Sequence, residues 1–204
     1  MGGQRRGTRE RLIEAAAELI AEDGYDRAGV QAIARRAELT NGAIYANFRD
    51  KADLLAAAIE VKLDHLIGAI DEGRRAGDPS VRILELLGRK LALETPERDR
   101  ELLVEAWAAA RRDPEVGVLV RGAHARAEAA VAGVVEQAKA DDDVAPDVDA
   151  GAVARFGTAL SIGYHVLHTA GMPDPDDDAW VRLMTRVVAS ISTREPAAPP
   201  VPPG

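Results

Sequence analysis

Residues 30–48 read VQAIARRAELTNGAIYANF. Two short helices fit this string, one from about Val30 to Ala37 and a second from Asn41 to Phe48, with Glu38 and Leu39 turning the chain between them. Thr40 stands where a cap for the second helix is needed, because a threonine oxygen can accept from the first free backbone amides. Ile33, Ala34, Leu39 and Ile44 supply a small internal core, and Ala34 is small enough to let the helices cross closely. A two-turn helix buries little by itself. Its use lies in its outer face, which a major groove can admit while the first helix braces it. That face carries Asn41, Gly42, Ala43, Ala46 and Asn47: small residues allow close backbone approach, and an asparagine can both donate to and accept from an adenine edge.

Upstream, Leu12, Ile13, Ala16, Leu19 and Ile20 recur at helical spacing behind Thr8, a candidate cap, and Gly24 ends that helix. Met1 to Gly7 reads as a basic arm. Downstream, Asp50 caps a long helix from Lys51 to about Gly73. Gly77, Asp78 and Pro79 break it, and periodicity resumes at Ile83, Leu84 and Leu87. Thr95-Pro96 and Asp113-Pro114 are two cap-and-proline starts, the second opening a helix to about Ala140. An acidic loop over 141–149 precedes helices from about Asp149 to Ala170 and Asp177 to Thr193. The expectation is an all-α fold of about nine helices, with no convincing strand. Its organisation divides into a three-helix helix-turn-helix domain over 1–50, a helical ligand-binding and dimerisation domain over 51–194, and a proline-rich tail over 195–204.

Composition narrows the function. The absence of cysteine excludes a disulfide framework, a thiolate metal site and a cysteine nucleophile. No phosphate loop, zincin spacing or local Ser–His–acid arrangement is legible, so no enzyme, cofactor or metal is expected. No signal peptide or membrane-length apolar run is seen, and a cytoplasmic location is expected. The net charge of −8 argues against nucleic acid at first sight. Yet residues 1–55 hold nine basic and nine acidic side chains, and all the excess acid lies beyond them.

The segment from Val30 through Phe48, continuing to Lys51, Leu54 and Leu55, resembles the tetracycline-repressor (TetR) family, as does the preceding helix with Ala15, Ala16, Leu19 and Gly24-Tyr25. The likeness covers about the first 55 residues. Two departures stand out. Glu38 replaces the usual turn glycine and would need a positive φ, and Ala28-Gly29 replaces the usual threonine cap. The resemblance implies that Thr40 and Tyr45 touch phosphates, that Lys51 adds a charge-assisted phosphate contact, and that Gly42 permits close approach. It places Asn41, Ala43, Ala46 and Asn47 at base edges, and Arg5 and Arg6 at phosphates or a minor groove. It further implies a homodimeric repressor on a palindromic double-stranded DNA operator, released by an apolar to amphipathic small molecule, with the long Lys51 helix as lever.

For the effector, Trp107, Phe156, Tyr164, His165 and His168 are the large or polar residues among apolar faces. For the dimer, the last two helices offer Phe156, Gly157, Leu160, Ser161, Leu183, Val187 and Ile191. A helical small-molecule carrier or interaction protein without operator binding is the alternative, and it leaves Thr40, Tyr45 and Lys51 unexplained.

Overall fold

The structure, a computed structural model, describes residues 7–93 and 95–193. Arg5, Arg6 and the expected tail over 195–204 lie outside the described residues. Nine α-helices and no strand are found among those described: α1 Thr8–Asp23, α2 Val30–Arg36, α3 Asn41–Asn47, α4 Lys51–Ala76, α5 Ser80–Leu93, α6 Glu97–Arg112, α7 Pro114–Ala140, α8 Ala150–Thr169 and α9 Asp177–Ala189.

Most boundaries follow local chemistry. The Asp50 carboxylate accepts from Asp53 N at 2.8 Å, and Asp113 accepts from Glu115 N and Val116 N at the start of α7, where Pro114 needs no donor partner. Asp149 and Asp176 cap α8 and α9 in the same way. Three expected caps differ. Thr8 is already helical and Gly7 is the cap, held by Glu10 reaching back to Gly7 N. Pro96 rather than Thr95 is the cap residue of α6, and Thr40 holds the cap position of α3 without a side-chain hydrogen bond. α4 runs beyond Gly73 to Ala76, where Gly77 at φ 76° closes it in the left-handed conformation. Gly24 ends α1 with a positive φ of 84° and an extended ψ of 157°.

The largest apolar cluster joins Leu12, Ile20, Ile33 and Ile44 of the first three helices to Leu54, Leu55 and Ile59 of α4 and Leu102 and Val116 beyond. The core therefore runs on through residue 50 into the body. A second cluster packs α5 against α4 and α7 around Ile70, Ile83, Val134 and Val135, and a third, smaller one sets Tyr164 of α8 against Trp180 and Met184 of α9. The acidic loop is tied down: Ala145 N donates to Ile191 O at 3.1 Å and Thr193 N to Asp143 O at 3.1 Å. α8 and α9 do not show one continuous buried stripe. Trp180 and Met184 are buried, but Phe156, Leu167 and Leu183 are about half exposed at 52%, 52% and 51%.

Glu38 does adopt φ 53°. Arg11 holds this turn, donating to Ala37 O at 2.5 Å and pairing with the Glu38 carboxylate at 3.5 Å. A side chain in the left-handed region costs roughly 1–2 kcal/mol relative to glycine. The ion pair is solvent-exposed and offsets only a fraction of that. Glu38→Gly is expected to raise thermal stability by about 0.5–1 kcal/mol after the added chain entropy of glycine, read as a higher Tm.

Candidate nucleic-acid interface and inner cavity

α3 is held from one side only. Ile44 is fully buried and Phe48 nearly so, which fixes the helix on α1 and α2. Thr40, Asn41, Gly42, Tyr45, Ala46 and Asn47 are exposed, while Ala43 is half-buried against the core. Tyr45 stands out at 64% exposure, an unusual position for a large ring unless its outer face is used. Asn47 donates its Nδ2 to Ala43 O at 2.7 Å, which leaves its amide oxygen as the outward group.

Lys51 has a partner within the protein. Its Nζ donates to Tyr25 O at 2.7 Å and lies 4.2 Å from the centre of the Tyr25 ring. The ammonium is thus engaged inside the protein, and burial lowers its pKa against the raising effect of Asp26. The Tyr25 carbonyl takes one of the three N–H donors of this half-buried ammonium. The basic residues of the helix-turn-helix are unequally available. Arg36 is shared between Glu18 and Glu22, Arg49 pairs with Asp53, and Arg9 lies over the Phe48 ring. Arg35 is exposed beside them on α2. The Glu18 and Glu22 that hold its neighbour Arg36 come from α1.

Deeper in the body is a cavity of about 470 Å³, walled mainly by leucine, valine and alanine of α4 to α9. Trp107, Phe156 and His165 line it, as three of the expected effector residues. The structure does not bring Tyr164 or His168 to its wall. Tyr164, one residue round α8 from His165, packs on Trp180 with ring centres 5.3 Å apart and lies under Arg100. His168 reaches outward to Asp174 at 2.9 Å. The expected dimer residues divide as well: Gly157, Leu160, Ser161, Val187 and Ile191 line the cavity, Phe156 both lines it and is exposed, and Leu183 faces outward.

His124 joins the expected residues at the cavity. It is buried on the cavity wall with its ring 4.8 Å from Trp107. No group of three or more His, Cys, Asp or Glu that could hold a metal exists among the described residues. The apolar wall residues Leu63, Leu66, Leu103 and Val131 were not separable from ordinary core, since nothing in an apolar side chain marks the side on which packing stops.

The order of these parts, with an N-terminal helix-turn-helix on a helical body around a cavity, is matched by known proteins. Residues 12–58 match the family model described as bacterial regulatory proteins, tetR family. Residues 81–193, more than half of the chain, match the model described as BetI-type transcriptional repressor, C-terminal. The chain belongs to the TetR family of DNA-binding transcriptional regulators.

TetR-family relatives are distant in sequence. The HTH-type transcriptional regulator UidR of Escherichia coli (strain K12) is 24% identical over 158 residues, covering 76% of this chain and 79% of the relative. The HTH-type transcriptional regulator AcrR of Shigella flexneri is 32% identical over 101 residues, 48% of this chain and 46% of the relative. Among solved structures, a TetR-family chain from Rhodococcus sp. superposes with a TM-score of 0.80 at 20% identity, over 91% of this chain and 98% of that one. A transcriptional regulator from Saccharomonospora viridis, solved in complex with choline, gives 0.71 at 22% identity, over 91% and 98%. At such identities the superpositions establish the fold. No helix among the described residues is long and apolar enough to cross a membrane.

The cavity histidines of this TetR-family chain are held neutral. Burial pushes His165 down to about 4, with Arg100 and His168 adding to the effect. Burial also lowers His124, against its bond to Val120 O. In the unfolded chain both return to the ordinary histidine range. Between about pH 6.5 and pH 4 the unfolded state therefore binds protons that the folded state refuses, and stability falls as pH falls through that window. The Tm measured at pH 5 is expected to lie below that at pH 7, and His165→Gln is expected to narrow the gap. A gap unchanged by the substitution would contradict the assignment.

Proposed function

We propose that this regulator is a repressor that binds a palindromic operator as a homodimer and is released when a small-molecule effector fills the cavity. The observation that carries the reading is the outward face of α3, where Tyr45 and the small and amide-bearing residues around it stand free of the body. On this reading Thr40 and Tyr45 meet the sugar-phosphate backbone, while Asn41, Gly42, Ala43, Ala46 and Asn47 approach base edges. Arg5 and Arg6 extend the contact from the arm. Lys51 fixes the start of α4 through Tyr25 and offers its remaining N–H donors to a phosphate. Residues 1–50 are then the DNA-binding unit, 51–194 the effector and dimer unit, and the protein works in the cytoplasm, where its DNA lies.

Two copies are needed because one two-turn helix reads too few base pairs. Two-fold partners place recognition helices roughly 35 Å apart or more, on successive major grooves. The exposed apolar residues Phe156, Val166 and Leu167 of α8 and Leu183 of α9 support the dimer. Gly157, Leu160, Ser161, Val187 and Ile191 lie just behind that face.

Release follows from shared elements. α4 supplies Leu63 and Leu66 to the cavity wall, and α6 supplies Leu103 and Trp107. The same two helices grip the helix-turn-helix: Glu105 accepts from Tyr25 N at 3.3 Å, and Lys51 donates to Tyr25 O. An effector that favours a different spacing of α4 and α6 shifts the population away from the groove-matched dimer.

Tyr45→Ala is expected to weaken binding to every duplex by about tenfold, the loss of one or two backbone contacts. Asn47→Ala should instead change base preference at particular positions. Gel-shift titrations over a range of salt check both, with the steep salt dependence of phosphate binding expected throughout. A chain indifferent to all duplexes at low salt would overturn the reading in favour of a helical carrier.

A further inference from the structure

The charges on the cavity wall are already used. Glu128 is held by Arg155 through two bonds, Nε to Oε1 and Nη2 to Oε2, each 2.8 Å. Asp149 is engaged as the cap of α8, accepting from Ala152 N. Among the described residues no lysine or arginine lines the cavity. An anionic ligand would therefore meet no counter-charge there, and a cationic one would have to take a carboxylate from an existing partner. Burying an ion on such terms is far costlier than burying a neutral group.

Polar groups of the wall have hydrogen-bonding capacity left: Trp107 Nε1 and His165 Nδ1, both buried without a partner, and His124, whose geometry assigns it an acceptor. His124 Nδ1 lies 3.0 Å from Val120 O. A carbonyl oxygen only accepts, so the ring hydrogen is on Nδ1 and Nε2 carries a lone pair. Nε2 has no hydrogen-bond partner among the described residues, on a side chain that lines the cavity beside Trp107. Burial keeps this ring neutral and so keeps the lone pair in place. His165 and Ser161, the neighbouring polar residues of the wall, face each other through Nε2 and Oγ at 3.1 Å, which leaves His165 Nδ1 without a partner.

We propose that the effector is a neutral, largely apolar molecule whose hydroxyl or N–H group donates to His124 Nε2. This rests on the cavity being the effector site. It sets the chain apart from the Saccharomonospora viridis regulator solved with choline, a quaternary ammonium with no hydrogen to donate from its charged end.

Four probes with a common ten-carbon body test the inference by calorimetric titration of the full chain at pH 7.5: 1-decanol, decyl methyl ether, decanoate and decyltrimethylammonium. The alcohol is expected to bind roughly three- to tenfold tighter than the ether, the worth of one neutral hydrogen bond. It should bind at least about tenfold tighter than either ion. His124→Phe keeps a ring and removes the acceptor, so the alcohol and ether should then bind equally. Either ion binding as tightly as the alcohol, or alcohol and ether binding equally to the unaltered chain, overturns the proposal while leaving the cavity as a ligand site. Survival of the alcohol preference in His124→Phe overturns the role of His124. Should circular dichroism show that variant unfolded, the four-probe series on the unaltered chain still decides. Failure of all four probes to bind removes the cavity as effector site, and both readings fall together.

Discussion

Tyr25 is the point through which the head and the body of the molecule hold each other. Its backbone N–H donates to Glu105 of α6, its carbonyl accepts from Lys51 at the start of α4, and its ring lies beneath the same ammonium. The side chain is 7% exposed, and burial pushes its phenol up to about 12. The preceding Gly24 makes this approach feasible. Its φ of 84° turns the chain toward α6, and a Cβ there would stand 3.3 Å from the Glu105 carboxylate. Neither α4 nor α6 can shift along its axis without straining a bond to this one residue.

Charge pairs extend the same connection. Glu18 of α1 takes Arg36 from α2 and Arg98 from α6, and Asp26 takes Arg112 from the end of α6. Deeper in, Lys62 of α4 meets Asp99 of α6 at 2.8 Å. Exposed pairs of this kind contribute little individually. Their value lies in placement: Glu18–Arg98 and Asp26–Arg112 tie α6, a wall of the cavity, to the helix-turn-helix, while Glu18–Arg36 braces α1 against α2 and Lys62–Asp99 ties α4 to α6. They also consume acids of the N-terminal region within the fold, so the neutral charge sum of residues 1–55 understates how far the recognition face is cleared of acid. Glu38 is the exception: it is exposed in the turn itself and paired only at 3.5 Å.

The cavity sits where the helical body declines to close its core. Its wall is drawn from the same leucines and valines that fill the neighbouring clusters, and α8 presents one face to it and another outward. This explains why several residues expected at a dimer contact also line the cavity. The inner layer of α8 and α9 serves the void, and the outer layer is left apolar and uncovered. A ligand in the void and a partner on the outer face would thus press on opposite sides of the same two helices.

What the sequence determined was what depends on near neighbours in the chain. The two short helices around Glu38, the positive φ at that residue, the caps at Asp50 and Asp113-Pro114 and the exposed run through Tyr45 were all legible, because periodicity, capping and turn geometry are settled within a few residues. The family followed from that same local string. Tertiary structure decided everything set by how helices cross. It turned Tyr164 toward Trp180 and His168 toward Asp174 while leaving His165 on the cavity. It drew Lys51 onto a carbonyl 26 residues earlier, and set His124 on the cavity wall beside Trp107. A rotation of 100° per residue fixes which side chains share a face. Which face meets a neighbour, a void or solvent is fixed only when the other helices are in place.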